Sequence, residues 1–438
     1  MAMTVKNNMQ AKNTLNQLNR NQKALSKDLK KVASGMKINS AADDASGLSI
    51  AEKMDVRLRS LEQDNQNVQN GNSMLKVAEG AMSSTVDILK TMKERVINAA
   101  NDTNSDADRA TIQKEIDQAI DQIDDNANAS YNGKIMLDGS KNDLVLEPGT
   151  RTHLTNSAFA EDTNRDSLLV ELQARTGDPV GILVGDTVTV SYVKDGETHI
   201  GSIIVDENTA FSDIFDWKPC KFDLRMVNYR DASKIGVDQF GKDVFTPDRK
   251  AAITFQAAKD GVTGQISGLT VCVQDKDGNL RKSANTTLDN FNETIRAQNP
   301  SDDNAMVLQS GTKANEAIKI GFTDMRSVAL GLKTPSGKTL NISTQAYANA
   351  AINVVDTALQ KVLDQQTKIG AVESRLEYTS SNIVVAAENT QSSMSVIRDA
   401  DMAKEMTAYT KDNVLMQASQ SMLAQANQNS SSVLSLLQ

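Results

Sequence analysis

The residues able to do bond-making chemistry are few. The chain has two histidines, His153 and His199, and two cysteines, Cys220 and Cys272. It has no His-Glu-x-x-His helix, no phosphate-cradling Gly-x-x-x-x-Gly-Lys-Ser/Thr loop and no Gly-x-Gly-x-x-Gly turn. Two isolated cysteines make neither a disulfide framework nor a metal motif, so they read as free thiols, buried or partly buried. His199 falls in a predicted strand and reads as a surface residue. Asp43-Asp44 could hold a cation, but polar residues at a helix start are the simpler account. Asp275-Lys276-Asp277-Gly278-Asn279 resembles the start of a calcium loop, yet it lacks the Glu at the twelfth position and reads as a turn. These patterns predict no enzyme, no cofactor and no metal centre.

The elements around these residues are of two materials. All six prolines lie between Pro148 and Pro335, and all nine phenylalanines between Phe159 and Phe322. Trp217, both cysteines and both histidines share that middle region. The ends, free of Pro and Phe, suit long uninterrupted helices. Aromatics make up only 4% of the 438 residues, which fits helices packed along seams better than one large globular core. A net charge of −9 argues against a nucleic-acid partner. No segment is apolar enough to span a membrane, and the first residues carry no apolar run of signal-peptide type. Taken alone, this reads as a cytosolic chain.

Heptad spacing places the helices. Leu15, Leu18, Leu25, Leu29, Val32 and Met36 follow a 3-4 alternation with Gln22 in the one missing slot, and Gly35 is a C-terminal stop. A second helix runs from about Asp44 to Ala100, with Ser40-x-x-Asp43 as its capping pattern. Its seam is Ala51, Met54, Leu58, Leu61, Val68, Leu75, Met82, Val86, Leu89 and Val96, and Asn65, Asn72, Glu79 and Lys93 fill the other slots. Such a rod is about 85 Å long. Ser105-x-x-Asp108 caps a third helix, which ends at the turn residues Tyr131-Asn132-Gly133. A matching seam returns from Ser343: Ile352, Val355, Leu359, Val362, Ile369, Leu376, Ile383, Ala387, Met394 and Ile397, with Gln366, Glu373, Ser380 and Thr390 between. Asp399-Ala400-Asp401 separates it from a last helix with Met402, Met406, Tyr409, Met416 and Leu423.

The middle reads as β. Thr187 to Lys194, Asp195-Gly196 and Glu197 to Val205 give a strong hairpin signal. Leu269 to Val273 with Asp277-Gly278 reads as a second hairpin, and Thr286 to Arg296 as a short helix. The predicted fold is therefore mainly α at both ends, with long antiparallel or coaxial helices in a coiled-coil-like bundle and a β-rich central insert, an α+β multidomain rod. Residues 1–43 with 402–438 form an inner terminal-helix domain, 44–145 with 305–401 a helical rod domain with a short β-hairpin, and 145–305 a β-rich outer domain.

Periodicity alone fits a structural coiled coil. An isolated amphipathic helix leaves its apolar stripe in water, so the ends pair with each other and the outermost helices seek copies of the same chain. A face that meets a different face on the next copy builds a filament. The expected polymerisation residues are Leu15, Leu18, Leu25, Leu29 and Val32 with Met402, Met406, Leu423, Val433, Leu434, Leu436 and Leu437. Gly35, Asn39, Asp43, Asp44 and Gly47 form the expected hinge between the first two helices.

Asn39-Ser40-Ala41-Ala42-Asp43-Asp44-Ala45 resembles the signature segment of bacterial flagellins. Tyr131-Asn132-Gly133, Asp324-Met325-Arg326, Arg398-Asp399-Ala400-Asp401, Ala424-Gln425-Ala426-Asn427 and Val433 to Leu437 follow in that family's order, over most of 1–140 and 305–438. Where the family usually has a Pro before its final Val-Leu-Ser-Leu-Leu, this chain has Ser430-Ser431-Ser432. The resemblance implies a self-assembling subunit of the extracellular bacterial flagellar filament, secreted through the flagellar type III apparatus without a classical signal peptide. It implies as partners further copies of the chain, an export chaperone, and cap and hook-associated proteins, but no nucleic acid and no membrane. The hook–filament junction protein shares the terminal helices and is the alternative. An enzyme on a helical stalk would need a catalytic cluster in 145–305, and none is evident.

In similar flagellins a stretch running Leu-Gln-Arg-Val-Arg-Glu-Leu is read by an animal Toll-like receptor. The matching residues here run from Leu89 through Lys90, Thr91, Met92, Lys93 and Glu94 to Arg95, of which only Leu89 and Glu94 agree. Leu89, Met92 and Val96 form an apolar stripe with Lys90, Lys93 and Glu94 beside it, expected to be covered by a neighbouring copy and exposed in a lone chain.

Overall fold

A computed structural model describes residues 8–145, 150–194, 196–215, 224–238 and 241–436. The described residues form seven α-helices: α1 (Met9–Ser34), α2 (Ala45–Ala99), α3 (Asp106–Ala127), α4 (Lys282–Leu288), α5 (Ser327–Leu330), α6 (Gln345–Arg398) and α7 (Met402–Leu436). Packing divides the chain into two compact units. One holds Met1–Asn67, Ser310–Glu316 and Tyr378–Gln438, and the other holds Val68–Gln309 and Ala317–Glu377.

In the first unit α1 lies antiparallel along α7. Asn8 Nδ2 donates to Ala426 O at 3.1 Å, Asn21 Nδ2 to Ser419 Oγ at 2.9 Å, and Lys31 Nζ stands 3.2 Å from Glu405 Oε1. Beside this pair, Ala51 and Leu61 of α2 and Ile383 of α6 are buried. Ser380 Oγ donates to Asn65 Oδ1 at 2.7 Å, so two polar slots of the predicted seams meet each other.

In the second unit α2, α3 and α6 share an apolar core. Leu75, Leu89 and Val96 of α2, Ile120 and Ile123 of α3, and Val355, Val362 and Ile369 of α6 have no exposed surface. Those of α2 and α6 are the residues heptad spacing selects, and all three helices form because one apolar stripe can be buried on each. The capping box of Ser105 and Asp108 starts α3, as expected. Buried Arg109 closes the other side of that turn, donating from Nε to Ala99 O at 3.0 Å and from Nη2 to Asn101 O at 3.1 Å. Ala99 is the last residue of α2, where a carbonyl has no intrahelical partner. Ser130–Tyr131 and Lys134–Ile135 pair around Asn132-Gly133, where both residues have positive φ.

The β-rich region belongs to the same unit. Strands Ile266–Gln274, Thr187–Lys194 and Glu197–Ile204 form a three-stranded antiparallel sheet. Strands Asn292–Ile295, His153–Asn156, Ala252–Ala257 and Leu224–Tyr229 form a four-stranded one. Phenylalanines make the core between them: Phe211 lies 5.3 Å from Phe159 and 5.7 Å from Phe215, and Phe255 lies 4.2 Å from Phe215 and 5.2 Å from Phe291. The composition break along the chain is thus a real change of building material. Arg296 Nη2 holds Asp364 Oδ2 of α6 at 2.6 Å, and the buried Lys361 Nζ stands 3.9 Å from Glu293 Oε1.

Two sequence expectations are corrected here, and one unforeseen hairpin is added. Ile266–Gln274 pairs with Thr187–Lys194, and the hairpin expected about Asp277-Gly278 is reduced to the single bridge of Gln274 with Leu280 before the chain turns into α4. The turn itself is closed by Asp275 Oδ1, which accepts from Asp277 N at 2.9 Å and Asn279 N at 2.8 Å. The short helix spans Lys282–Leu288 instead of starting at Thr286, and Asn292–Ile295 is a strand. A hairpin of Met306–Gln309 with Ala317–Ile320, which the sequence did not announce, sets Leu308 against Gly71 of α2. Trp217, Cys220 and Asp195 lie outside the described residues.

Candidate assembly surface

The joint between α1 and α2 is built from small and polar residues held in fixed positions. Gly35 ends α1 with φ +71°, a conformation that favours glycine, and its N–H donates to Lys31 O. Two backbone bonds then stitch this joint to the break between α6 and α7: Lys37 N to Arg398 O and Ala400 N to Gly35 O, both 2.9 Å. Arg398 Nη1 stands 3.3 Å from Glu52 Oε1 of α2. Asn39 Nδ2 donates to Met36 O at 2.9 Å. Asp43 accepts from Ser40 N at 3.1 Å and Ser40 Oγ at 3.0 Å, and pairs with Lys27 Nζ at 3.2 Å. The Lys27 and Ser40 donors hold the Asp43 carboxyl well down, to about 2.

The α2 cap differs from the sequence expectation. Asp44 Oδ1 accepts from Ser46 N at 3.0 Å and Gly47 N at 2.9 Å, so Asp44 is the capping residue. Ser40 and Asp43 bond to each other and close the preceding turn. Gly47 is a packing residue: a Cβ there would come within 2.7 Å of Ile38 Cδ1, and Ile38 is buried. The segment expected to act as a hinge is thus tied at Gly35, Asn39, Asp43 and Asp44.

The α1–α7 pair departs from its predicted register by one residue. Leu18, Leu25 and Val32 turn toward α7 and are half-buried, as the heptad spacing requires. The second inward column, however, is Thr14, Asn21 and Asp28, not Leu15, Gln22 and Leu29. Across from it α7 presents Glu405, Asp412 and Ser419. Asn21, 8% exposed, uses its amide on Leu415 O and Ser419 Oγ. Leu15 is left 45% exposed and Leu29 51%. On α7, Met402, Met406, Val414, Leu415 and Met422 are also exposed, and Leu423 is half-buried. Val433, Leu434 and Leu436 fall within α7, and Leu437 lies outside the described residues.

The stripe of Leu89, Met92 and Val96 is not exposed. These residues are 0%, 1% and 0% accessible, covered by this chain's own helices. The expectation that a lone chain presents them is therefore corrected. Lys93 Nζ is paired with Asp356 Oδ1 at 2.5 Å, and Lys90 and Glu94 remain exposed.

Among the described residues the candidate chemistry of the middle region does not gather into a centre. His153 is buried, its Nδ1 is 2.9 Å from Arg151 O, and burial lowers its pKa. His199 stacks on Tyr192 with ring centroids 5.0 Å apart. Cys272 is a half-buried free thiol whose pKa burial raises. Among the described residues no group of three His, Cys, Asp or Glu side chains could hold a metal ion, and no helix is long and apolar enough to cross a membrane.

Comparison with known proteins bears on these helices directly. Residues 5–142 match the family described as bacterial flagellin N-terminal helical region, and 352–437 match the bacterial flagellin C-terminal helical region. The chain belongs to the flagellin family. A flagellin of Clostridium tyrobutyricum is 32% identical over 97% of this chain and 99% of its own length. One from Bacillus subtilis (strain 168) is 30% identical over 99% of this chain and 100% of its own. Among solved structures, the flagellar junction protein FlgL of Legionella pneumophila is 16% identical, covers 80% of this chain and 99% of its own, and has a TM-score of 0.31. The family matches stop near both edges of the Phe-rich region, so they fall on the helices that carry the joint and the exposed apolar residues.

Proposed function

We propose that the chain is a structural subunit that self-assembles into the extracellular bacterial flagellar filament used for motility, and that it catalyses no reaction. The observation that carries this reading is the direction of the apolar residues on α1 and α7. The pair closes on a partly polar seam and leaves Leu15, Leu29, Met402 and Met406 outside. Apolar residues left in water along two helices are a surface for burial by another molecule, and other copies bring the same helices. In this reading 1–43 with 402–438 line the inside of the wall, 44–145 with 305–401 form its rod layer, and 145–305 faces the medium. Export would use the flagellar type III apparatus and a chaperone, and cap and hook-associated proteins would bound the filament.

The junction between hook and filament is the second reading, favoured by the same terminal helices. Polymer length separates the two. Purified chain assembled by salt and viewed in negative stain should give long uniform filaments, whereas short rings or single layers would favour the junction protein. Deleting 402–438 should leave a folded monomer that forms neither. A contact with an animal Toll-like receptor would rest on Lys90, Thr91 and Glu94, since their apolar neighbours are internal. Thr91→Arg should then strengthen binding of monomer in a surface-binding assay, and unchanged affinity would remove the receptor from the reading.

A further inference from the structure

The chain has 17 methionines, and the structure sorts them by place. Among the described residues Met74, Met82, Met92, Met136 and Met325 are buried. Four are exposed, Met9, Met402, Met406 and Met422, with accessibilities from 42% to 62%. All four lie on α1 and α7, in one compact unit. Met402 and Met406 stand one turn apart and share a face of α7. At the joint, by contrast, Met36 is half-buried and its sulfur accepts from Arg398 Nε at 3.1 Å.

The apolar residues left outside the α1–α7 pair are therefore of two chemical kinds. Leu15, Leu29, Val414 and Leu415 are hydrocarbon and inert to mild oxidants. The methionines carry a thioether, which hydrogen peroxide converts to the sulfoxide. The sulfur lone pair attacks one peroxide oxygen, and the O–O bond breaks as the S–O bond forms. The hydroxide released takes up the remaining proton and leaves as water. Sulfur is oxidised by two electrons and peroxide reduced by two. A flexible apolar side chain becomes a polar one, which is costly to bury without a hydrogen-bond donor.

We propose that Met9, Met402, Met406 and Met422 form a peroxide-sensitive switch on assembly. Oxidation of the lone chain makes its outward surface polar and keeps it from joining a polymer. The switch rests on the self-assembly reading above. It leaves folding alone, because the methionines of the core, such as Met82 and Met92, are out of reach of peroxide. It also acts before assembly and not after it, since a neighbouring copy that covers the four sulfurs shields them.

The test oxidises the full chain as monomer, partially, with hydrogen peroxide, then assembles it with salt and separates pellet from supernatant. Peptide mass spectrometry locates the sulfoxide residue by residue. The four positions should carry at least about fivefold more sulfoxide in the supernatant, the ratio expected for burying one unsatisfied polar group. Sulfoxide at the half-buried Met226 and Met306 should divide evenly between the fractions. The Tm of oxidised monomer should stay within about 2 °C of untreated chain by circular dichroism. Methionine sulfoxide reductases should return polymer to the pellet, whereas a thiol reductant alone, which repairs an oxidised Cys272, should not. Even division at all six positions would overturn the switch, as would a lowered Tm or recovery with thiol alone. No polymer from the untreated chain would instead sink the self-assembly reading, and the switch with it.

Discussion

The α2–α6 seam and the α1–α7 seam are written in the same heptad pattern, yet they are used differently. Along α2 and α6 the apolar residues of the seam face inward, with Leu75, Leu89, Val355 and Val362 wholly buried, although Val56, Val385 and Val396 lie off the seam and are exposed. Along α1 and α7 one inward column is apolar and the other is polar, and several of the largest apolar side chains face out. The first seam stabilises the chain by itself. The second holds two helices in register with hydrogen bonds and keeps its apolar surface for another molecule. A polar residue at an inward heptad position lowers stability and fixes register, which is the trade Asn21 makes.

The comparison breaks most visibly by truncation. Leu89→Ala should cost about 3 kcal/mol in urea-induced unfolding, since a fully buried Leu leaves a cavity. Leu29→Ala, at a half-exposed site of the same pattern, should stay within about 0.5 kcal/mol. Equal losses at the two sites would mean that the seams are equivalent after all.

Much of this fold was legible. The residues of α2 and α6 were readable because one column of each slot pair is apolar almost throughout, so only one face can be buried. The α1–α7 register was not, because Thr14, Asn21 and Asp28 repeat every seven residues just as Leu15, Gln22 and Leu29 do. Hydrophobicity chose the second set, and the partner's Glu405, Asp412 and Ser419 chose the first. The hairpin of Met306–Gln309 and Ala317–Ile320 has four-residue strands, too short for alternation to stand out. The sequence Lys282–Leu288 offers only Ala284 and Leu288 to the core, too few for a stripe to show, and α4 is held to the sheet by its own Asn285 Oδ1, which accepts from Val273 N at 2.6 Å. The capping role of Asp44 was hidden by the better-looking Ser40-x-x-Asp43 pattern beside it.

A smaller effect sharpens the role of the polar column. Asn21→Leu should stabilise the α1–α7 pairing by about 1 kcal/mol, read as slower amide hydrogen exchange along α1. Faster exchange would show that the bonds to Leu415 O and Ser419 Oγ matter more than burying an apolar side chain in their place.

The smallest effect concerns the joint. Asp43 is held down to about 2, so its bonds to Lys27 and Ser40 support the folded joint above 3.8 and are lost as pH falls from there toward 2. Asp43→Asn should remove that acid-dependent step, read by limited proteolysis between α1 and α2 across the same range. An unchanged profile would assign acid sensitivity to another group.

The central claim is that apolar residues outside the α1–α7 seam serve assembly and not folding. The direct measurement pairs Leu15→Ser/Leu29→Ser in the full chain with sedimentation of salt-assembled polymer and thermal unfolding of the monomer. The account predicts a Tm within about 2 °C of wild type and little or no polymer in the pellet at concentrations where wild type assembles. Wild-type pelleting with an unchanged Tm would contradict it, as would a monomer that no longer folds.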